Sequence, residues 1–232
     1  MWFIGFVWAD LQVSSMIGKK QINDITAALQ SDDVSTRLQA ALGIGMNPQP
    51  EFLDLLVDRC SVESDFSVRE QLTWSIIRFP KELVVPKLVT AVSSNIKQAR
   101  SQALHTLSKI EGADAWFVIT KQLLNDPCDE VAQAAWRAAV TLVPSGEEQG
   151  LASDLCALLG RGGREVQRSL SVSLAALGEA TVSPVLKKVI MGDDGAARDH
   201  ALFTQRIFTE PDLRSDYAVD QVKILLAPRP KD

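Results

Sequence analysis

The side chains that could do catalytic or metal chemistry are two histidines and three cysteines. His105 and His200 stand far apart, and neither has a second His, Cys or carboxylate at the spacing of a metal site. Cys60, Cys128 and Cys156 are odd in number and widely separated, which fits neither a disulfide framework nor a zinc site. We therefore expect hydrogen-bonded or solvated helix histidines, reduced thiols in or near the core, no metal and no cofactor. A catalytic or ligand role for a histidine is the alternative.

The charge balance of the chain argues against polyanionic partners. Its 24 Lys and Arg and 29 Asp and Glu among 232 residues give a net charge of −5. Nucleic acids and anionic membranes attract basic surfaces, so we expect neither as a partner. The 46% hydrophobic content supplies a core without disulfide or metal support. With reduced thiols, this composition favours a cytoplasmic protein.

The first nine residues, MWFIGFVWA, are apolar but shorter than the ~20 residues of a membrane-spanning helix. The first lysine, Lys19, follows this run rather than preceding it as in a signal peptide. Either Trp2, Phe3, Phe6 and Trp8 cap the first helix, or translation begins at Met16.

A helical segment recurs about every 32 residues. The equivalent anchor positions are Arg37, Arg69, Arg100, Ala132, Gln167 and Arg198. Positions one before, three after and seven after the anchor are mostly apolar, with Gln205 as an exception, and they share one helix face. The sixth position after the anchor is always small, which predicts close approach of neighbouring helices: Gly43, Ser75, Thr106, Ala138, Ser173 and Thr204.

Each repeat is predicted to contain a first helix, A, which carries the anchor, and a second apolar helix, B. The A helices would be capped by Asp33, Asp65, Asn95 and Asp194. Pro86 and Pro184 are expected in the first turn of their B helices. The B helices are predicted at Phe52–Cys60, Pro86–Ser93, Ala115–Leu124, Gly150–Leu159, Pro184–Met191 and Asp212–Leu226, after a leading helix at Gln21–Gln30.

These hairpins predict an all-α fold, an α-α superhelix (α-solenoid) of about six repeats with an N-terminal capping helix. The segments DFSVREQL, KQARSQAL and GAARDHAL, and the prolines of the B helices, resemble the HEAT-like repeats of phycobilisome (bilin) lyase subunits. We predict an apolar segment at 1–15, one repeat domain at 16–226 and a flexible tail at 227–232.

Two functions follow from this organisation. The repeat positions account for nearly every notable residue, which favours a non-enzymatic scaffold or adaptor whose B helices bind a partner protein or peptide. The resemblance implies the alternative, a lyase-like subunit that handles a bilin or its acceptor protein. The lysines of the B helices and the arginines of the LGRGGREVQRS loop are the candidate partner- or anion-binding residues: Lys87, Lys121, Arg161, Arg164, Lys187 and Lys188.

Two HEAT-like enzymes are disfavoured. A hydroxylase of the deoxyhypusine kind would carry His-Glu pairs, which the chain lacks. A DNA glycosylase needs a basic face, although Trp74, Trp116 and Trp136 could stack on a base. We instead expect these tryptophans in the core, and the anchor arginines on carboxylates or carbonyl oxygens of adjacent repeats.

Overall fold

The computed structural model describes residues 21–110 and 115–210, which contain helices and loops and no strand. Residues 21–29 form α1. The other α-helices are α2 (Val34–Met46), α3 (Leu53–Cys60), α4 (Phe66–Ile76), α5 (Lys81–Val92), α6 (Lys97–Leu107), α7 (Lys121–Leu124), α8 (Asp129–Leu142), α9 (Glu148–Cys156), α10 (Arg164–Ala176), α11 (Glu179–Ile190) and α12 (Gly195–Thr209). Short 3₁₀ helices lie at Pro50–Phe52 and Trp116–Val118.

The chain forms two compact units, Met1–Lys87 and Leu88–Asp232. The prediction of one repeat domain at 16–226 stays a prediction. The predicted N-terminal cap at 1–15, the last B helix at 212–226 and the tail at 227–232 lie outside the described residues.

Helix packing within each unit follows the order of the repeats. In the first unit, α4 packs against both α2 and α3. In the second, the A helices α6, α8, α10 and α12 pack in a row, and α9 packs against α11 on the B side. Within each unit, successive helices therefore pack in the order of the chain, and the predicted α-solenoid class is confirmed.

Three of the four predicted N-caps are confirmed. The carboxylates of Asp33, Asp65 and Asp194 accept hydrogen bonds from backbone amides in the first turns of α2, α4 and α12. Asn95 was wrongly predicted as a cap, because α6 begins at Lys97 and its N-cap is Ile96, whose side chain has no hydrogen-bonding group.

The column of small residues faces the preceding A helix. Ser75 on α4 donates to the carbonyl oxygen of Ala41 on α2 at 2.7 Å, and the hydroxyl oxygens of Thr204 on α12 and Ser171 on α10 lie 2.8 Å apart. Five members of the column are buried. Gly43 is exposed, so its prediction as a contact position was wrong. The reason is its place in the fold: α2 is the first A helix of the described residues and has no earlier A helix to contact.

The close contact between α2 and α4 falls on a different glycine, Gly45. A Cβ atom at this position would lie 2.5 Å from a ring carbon of Trp74 and 2.7 Å from the hydroxyl oxygen of Ser75. Only a residue without a side chain therefore lets the two helices approach this closely.

Neither proline opens its helix, contrary to the prediction. Pro86 and Pro184 are each the sixth residue of their helices, α5 and α11. Both helices begin before the proline because their first turns already supply residues to the buried apolar face of the helix. The buried pairs Val84 and Leu88 in α5, and Val182 and Leu186 in α11, are spaced one turn apart. The two prolines lie on the exposed faces.

The predicted helix Ala115–Leu124 is broken into two short pieces. Ile119 and Thr120 have extended backbones between the 3₁₀ helix at Trp116–Val118 and α7. The Thr120 hydroxyl accepts from the backbone amide of Leu123 and so caps α7. This local bond competes with a continuous helix in a run of β-branched residues.

Candidate functional site

The anchor arginines bind the loops that precede their own helices. Arg37, Arg69 and Arg100 each donate from Nη1 to the carbonyl oxygens five and six residues earlier. Arg198 donates to the carbonyl oxygens of Ile190 and Gly192. Gln167, at the equivalent position of α10, reaches the loop carbonyls of Gly160 and Gly162. The anchor thus closes the loop at the start of each of these A helices.

Two of these arginines also reach the loop before the following A helix. Arg37 forms a two-point ion pair with Glu63, with nitrogen–oxygen distances of 2.8 and 2.9 Å. Arg100 bonds Asp126 at 3.1 and 3.3 Å. In each pair the carboxylate lies 26 residues after the arginine. The predicted pairing between adjacent repeats is confirmed for these two arginines, whose guanidinium groups are engaged by the fold.

Burial alone would raise the pKa of Glu63. Hydrogen bonds from Arg37, the Asp65 amide and Arg59 outweigh this effect and lower the pKa to about 2. Glu63 has no exposed surface, and its charge is balanced by the two arginines at 2.7 to 2.9 Å. A carboxylate held ionised in this way is a structural acceptor rather than a proton donor.

His200 belongs to a buried polar cluster between α10 and α12. Its Nδ1 accepts from the Gly160 amide at 3.0 Å, while Nε2 lies 2.8 Å from the Gln167 carbonyl oxygen and 2.9 Å from Ser171 Oγ. Because a backbone N–H occupies Nδ1, the ring proton must be on Nε2, where Gln167 accepts it. Burial lowers the pKa of His200, although the bond to Gln167 opposes the shift.

Ser171 Oγ and His200 Nε2 are as close as the hydroxyl and imidazole of a catalytic serine–histidine pair, but His200 cannot act as the base. A general base would need a free lone pair on the nitrogen that faces the hydroxyl. Here that nitrogen carries the proton, and both side chains are buried, at 0% exposure for Ser171 and 3% for His200. His200 is the hydrogen-bonded helix histidine that the sequence predicted, and it joins two A helices.

The cysteines lie where the sequence placed them. Cys60 and Cys156 are buried and Cys128 is half-buried, and all three are free thiols. Burial raises the pKa of Cys60 and of Cys156 to about 12, which keeps both protonated and poorly nucleophilic at neutral pH. In the described part of the chain, no three His, Cys, Asp or Glu side chains form a group that could hold a metal ion.

The three tryptophans predicted in the core differ in their surroundings. Trp136 is fully buried and donates from Nε1 to the Leu124 carbonyl oxygen at 2.9 Å. Trp74 is 38% exposed, with the Arg78 guanidinium over its ring, so its prediction as a core residue was wrong. Trp116 is half-buried and donates from Nε1 to Glu147 Oε2 at 2.7 Å.

Two of the candidate lysines are paired with carboxylates of the adjacent B helix. Lys87 on α5 binds Asp54 on α3. Lys121 on α7 binds Asp154 on α9 at 2.7 Å. The partner lies 33 residues away in both pairs, which follows the repeat length. Much of the positive charge that was expected to face a partner is therefore balanced within the protein.

The remaining candidates divide into one engaged arginine and three exposed cations. Arg161 lies over the Trp136 ring and binds Asp129 at 2.9 Å. Arg164, Lys187 and Lys188 are exposed and make no ion pair with the described residues. The assignment of the six candidates as binding residues stays a prediction.

The 3₁₀ helix carries an exposed aromatic residue that the sequence analysis missed. Phe117 is 69% exposed, while Ala115 beside it is fully buried. The hydrogen bond between Trp116 and Glu147 holds this helix against the start of α9. The available signal was the sequence AWFV, where two adjacent aromatics on a short helix cannot both face the core.

Each unit has a surface groove. In the first unit, a groove of about 970 Å³ lies between α1 and α2 and includes Ile25, Ala28, Thr36 and Ala40. In the second, a groove of about 400 Å³ is lined by polar groups that include Thr120, Gln122, Arg100 and Asp126. The candidate lysines and loop arginines contribute to neither groove.

Comparison with known proteins finds no matching family model and no matching curated protein. An engineered protein, a structural genomics target, is 18% identical with a TM-score of 0.44 over 84% of this chain and 97% of its own. The complex of CpcE and CpcF of phycocyanin lyase from Nostoc sp. PCC7120 is 19% identical with a TM-score of 0.45. The match covers 78% of this chain and 74% of that chain. At these sequence identities and TM-scores, the two likenesses support no statement about the activity of this protein.

The helical repeat fold is thus established by the helices themselves, and membership of the HEAT-like lyase family stays a prediction. Across residues 21–110 and 115–210, every helix is too short or too polar to span a bilayer.

Proposed function

We propose that this protein is a non-enzymatic interaction module that binds a partner protein or peptide through the B-helix side of its second unit. The binding site, here termed the Phe117 surface, consists of Trp116, Phe117, Lys121 and Asp154. The observation that carries the proposal is the 69% exposure of Phe117. Large aromatics at protein surfaces supply much of the binding energy when a partner covers them.

The backbone beneath Phe117 is held in place before any partner binds. The amide of Val118 donates to the Ala115 carbonyl oxygen at 3.1 Å, and that of Ile119 to Trp116 at 2.9 Å. Trp116 is bonded to Glu147 on α9, and Thr120 caps α7. An aromatic presented on an ordered segment loses less conformational entropy on binding than one on an unstructured loop.

The charged pair that follows Phe117 in the sequence suits the rim of an interface. Lys121 follows Phe117 by four residues, and the side chains of Lys121 and Asp154 are 79% and 32% exposed. An exposed ion pair adds little binding energy but selects among partners by charge. The expected partner therefore offers an apolar pocket for Phe117 surrounded by polar groups.

The described side chains give little support to catalysis. The buried thiols have raised pKa values, the Ser171–His200 pair has its proton on the wrong nitrogen, and Glu63 is held ionised by arginines. A binding function needs none of these groups to react.

Photo-crosslinking in the native cells tests this proposal. A photoreactive phenylalanine analogue at position 117 should capture one defined protein, and the same analogue at the exposed Leu202 of α12 should not. An excess of the unlabelled wild-type chain, present before irradiation, should also reduce this capture. Equal capture from both positions, or none at 117, would refute the proposal.

A further inference from the structure

The first unit contains a closed cluster of two arginines around one buried carboxylate. Glu63 Oε2 accepts three hydrogen bonds, one from Arg37 Nε at 2.8 Å and two from Arg59 at 2.7 and 2.9 Å. Its other oxygen, Oε1, accepts from Arg37 Nη2 and from the Asp65 amide. The fold therefore supplies the donors that both oxygens of this carboxylate need.

The second unit repeats this arrangement with one member changed. Its anchor is Arg100, and Asp126 follows it by 26 residues, as the first carboxylate follows its own anchor. The position four residues before the carboxylate is Arg59 in the first unit and Gln122 in the second. Gln122 is neutral and exposed. The side chain of Asp126 therefore pairs with one arginine, where its counterpart pairs with two.

Asp126 Oδ2 is the atom with accepting capacity to spare. Within the described residues it accepts from Arg100 Nη2 at 3.1 Å, while Oδ1 accepts from the same nitrogen at 3.3 Å and from the Cys128 amide at 2.9 Å. Arg100 Nε has no hydrogen-bond partner. Because the side chain of Asp is one methylene group shorter than that of Glu, the two-point pair of the first unit is not formed here.

A groove opens at this incomplete cluster. The groove of about 400 Å³ in the second unit is lined by polar side chains that include Ser93, Arg100, Thr120, Gln122 and Asp126. The side chain of Asp126 is 11% exposed, compared with 0% for Glu63. The groove therefore gives a ligand access to a carboxylate whose counterpart in the first unit is closed off.

We propose that an arginine of the partner protein enters this groove and donates to Asp126, as Arg59 donates to Glu63. A guanidinium group restores the second cation of the cluster, and its several planar donors suit a groove lined by carboxylate, hydroxyl and amide oxygens. An anionic group would instead meet the negative charge of Asp126.

This inference deepens the proposed function and rests on it in one respect, that the arginine belongs to the partner. Val118 and Thr120, which line the groove, directly follow Phe117 and the 3₁₀ helix that carries it. We therefore expect the partner to present an arginine and the apolar pocket for Phe117 within one short stretch of its surface.

Side-chain NMR of the full-length protein tests the groove with two small probes. Nα-acetyl-arginine amide carries the guanidinium group, and Nα-acetyl-citrulline amide has nearly the same shape without the charge. At millimolar concentrations and equal ionic strength, the arginine probe should cause saturable shifts of the Arg100 Nε–H and Gln122 side-chain amide signals. The citrulline probe should cause none. The Nε–H signal of Arg37, which is bonded to Glu63, should respond to neither probe.

Gln122→Arg places the missing arginine in the chain itself. Since this side chain should occupy the groove as Arg59 occupies its own position, the variant should lose the response to the arginine probe. Gln205→Arg is the matched control, because it adds the same charge at an exposed position on α12. It should respond to the probe as the wild type does.

The inference would be overturned by an absence of saturable shifts with the arginine probe, by equal shifts with both probes, or by a full response of Gln122→Arg. Any of these results would leave the proposed function standing, because crosslinking at position 117 tests it separately. A response to the arginine probe without capture at position 117 would refute the proposed function and leave the groove as a guanidinium site.

Discussion

Arg37 and Glu63 form a two-point ion pair between groups that are 5% and 0% exposed, and the pair joins the first turn of α2 to the loop before α4. The same carboxylate accepts from Arg59 and from the Asp65 amide, while Arg37 also donates to two carbonyl oxygens of the first loop. These bonds fix the spacing between successive A helices in the first unit.

Glu63→Ala should lower the free energy of unfolding by about 3–5 kcal/mol, because it leaves the Arg37 guanidinium buried without its carboxylate. Chemical denaturation measures this change. Glu210→Ala is the control, since it removes an exposed carboxylate that pairs with Arg206, and it should leave the denaturation midpoint unchanged. Equal effects of the two substitutions would contradict the structural role of the pair.

The Glu63 pair should also make stability depend on pH. The folded-state pKa of Glu63, about 2, lies below its ordinary value of 4.5, so the stabilisation is present above pH 5 and is lost as the pH falls towards 2. Glu63→Gln mimics the protonated side chain. The difference in unfolding free energy between wild type and Glu63→Gln should therefore shrink by about 3 kcal/mol from pH 5 to pH 2. A difference that stays constant over this range would exclude the shift.

Two glycines of α2 should respond to alanine in opposite directions. Gly45→Ala places a methyl group 2.5 Å from the Trp74 ring and should destabilise the protein by about 1–3 kcal/mol. Gly43→Ala meets nothing within 4 Å and should stabilise it by about 0.5–1 kcal/mol through helix propensity. Thermal denaturation of both variants measures the effects. The reverse order would place the contact between α2 and α4 at Gly43.

Stability should fall on mild acidification because of His200. Its folded-state pKa is lowered by burial, so the unfolded chain takes up the proton first as the pH drops below 6.5. His200→Gln should remove this part of the pH dependence. Nitrogen NMR of the wild-type ring should show the Nε2–H tautomer at neutral pH. A protonated Nδ1 would contradict the bond from the Gly160 amide.

The repeat register was predictable from sequence because it depends on packing rules that recur in every hairpin. The buried small residues, three N-caps and two of the anchor-arginine pairs follow from single positions relative to the anchor. The prediction that the small residues are contact positions fails at Gly43, because the described residues contain no A helix before α2. Pro86 and Pro184 misled the prediction because the buried stripe, rather than the proline, determined where each helix begins.

The candidate site was less accessible to sequence reasoning. The charges of Lys87 and Lys121 were visible, but their pairing with Asp54 and Asp154 depends on which residues of neighbouring B helices meet. The exposure of Phe117 depends on the break at Ile119 and Thr120, a local choice between one helix and two. Both features arise from contacts between repeats rather than from any single repeat.

The most direct test of the binding function is the affinity of the crosslinked partner, once purified, for three forms of this protein. The wild type and Leu202→Ala should bind with dissociation constants within twofold of each other. Phe117→Ala should bind at least about tenfold more weakly, as expected when a central aromatic contact is removed. Equal affinity of Phe117→Ala and the wild type would contradict a partner-binding role for the Phe117 surface.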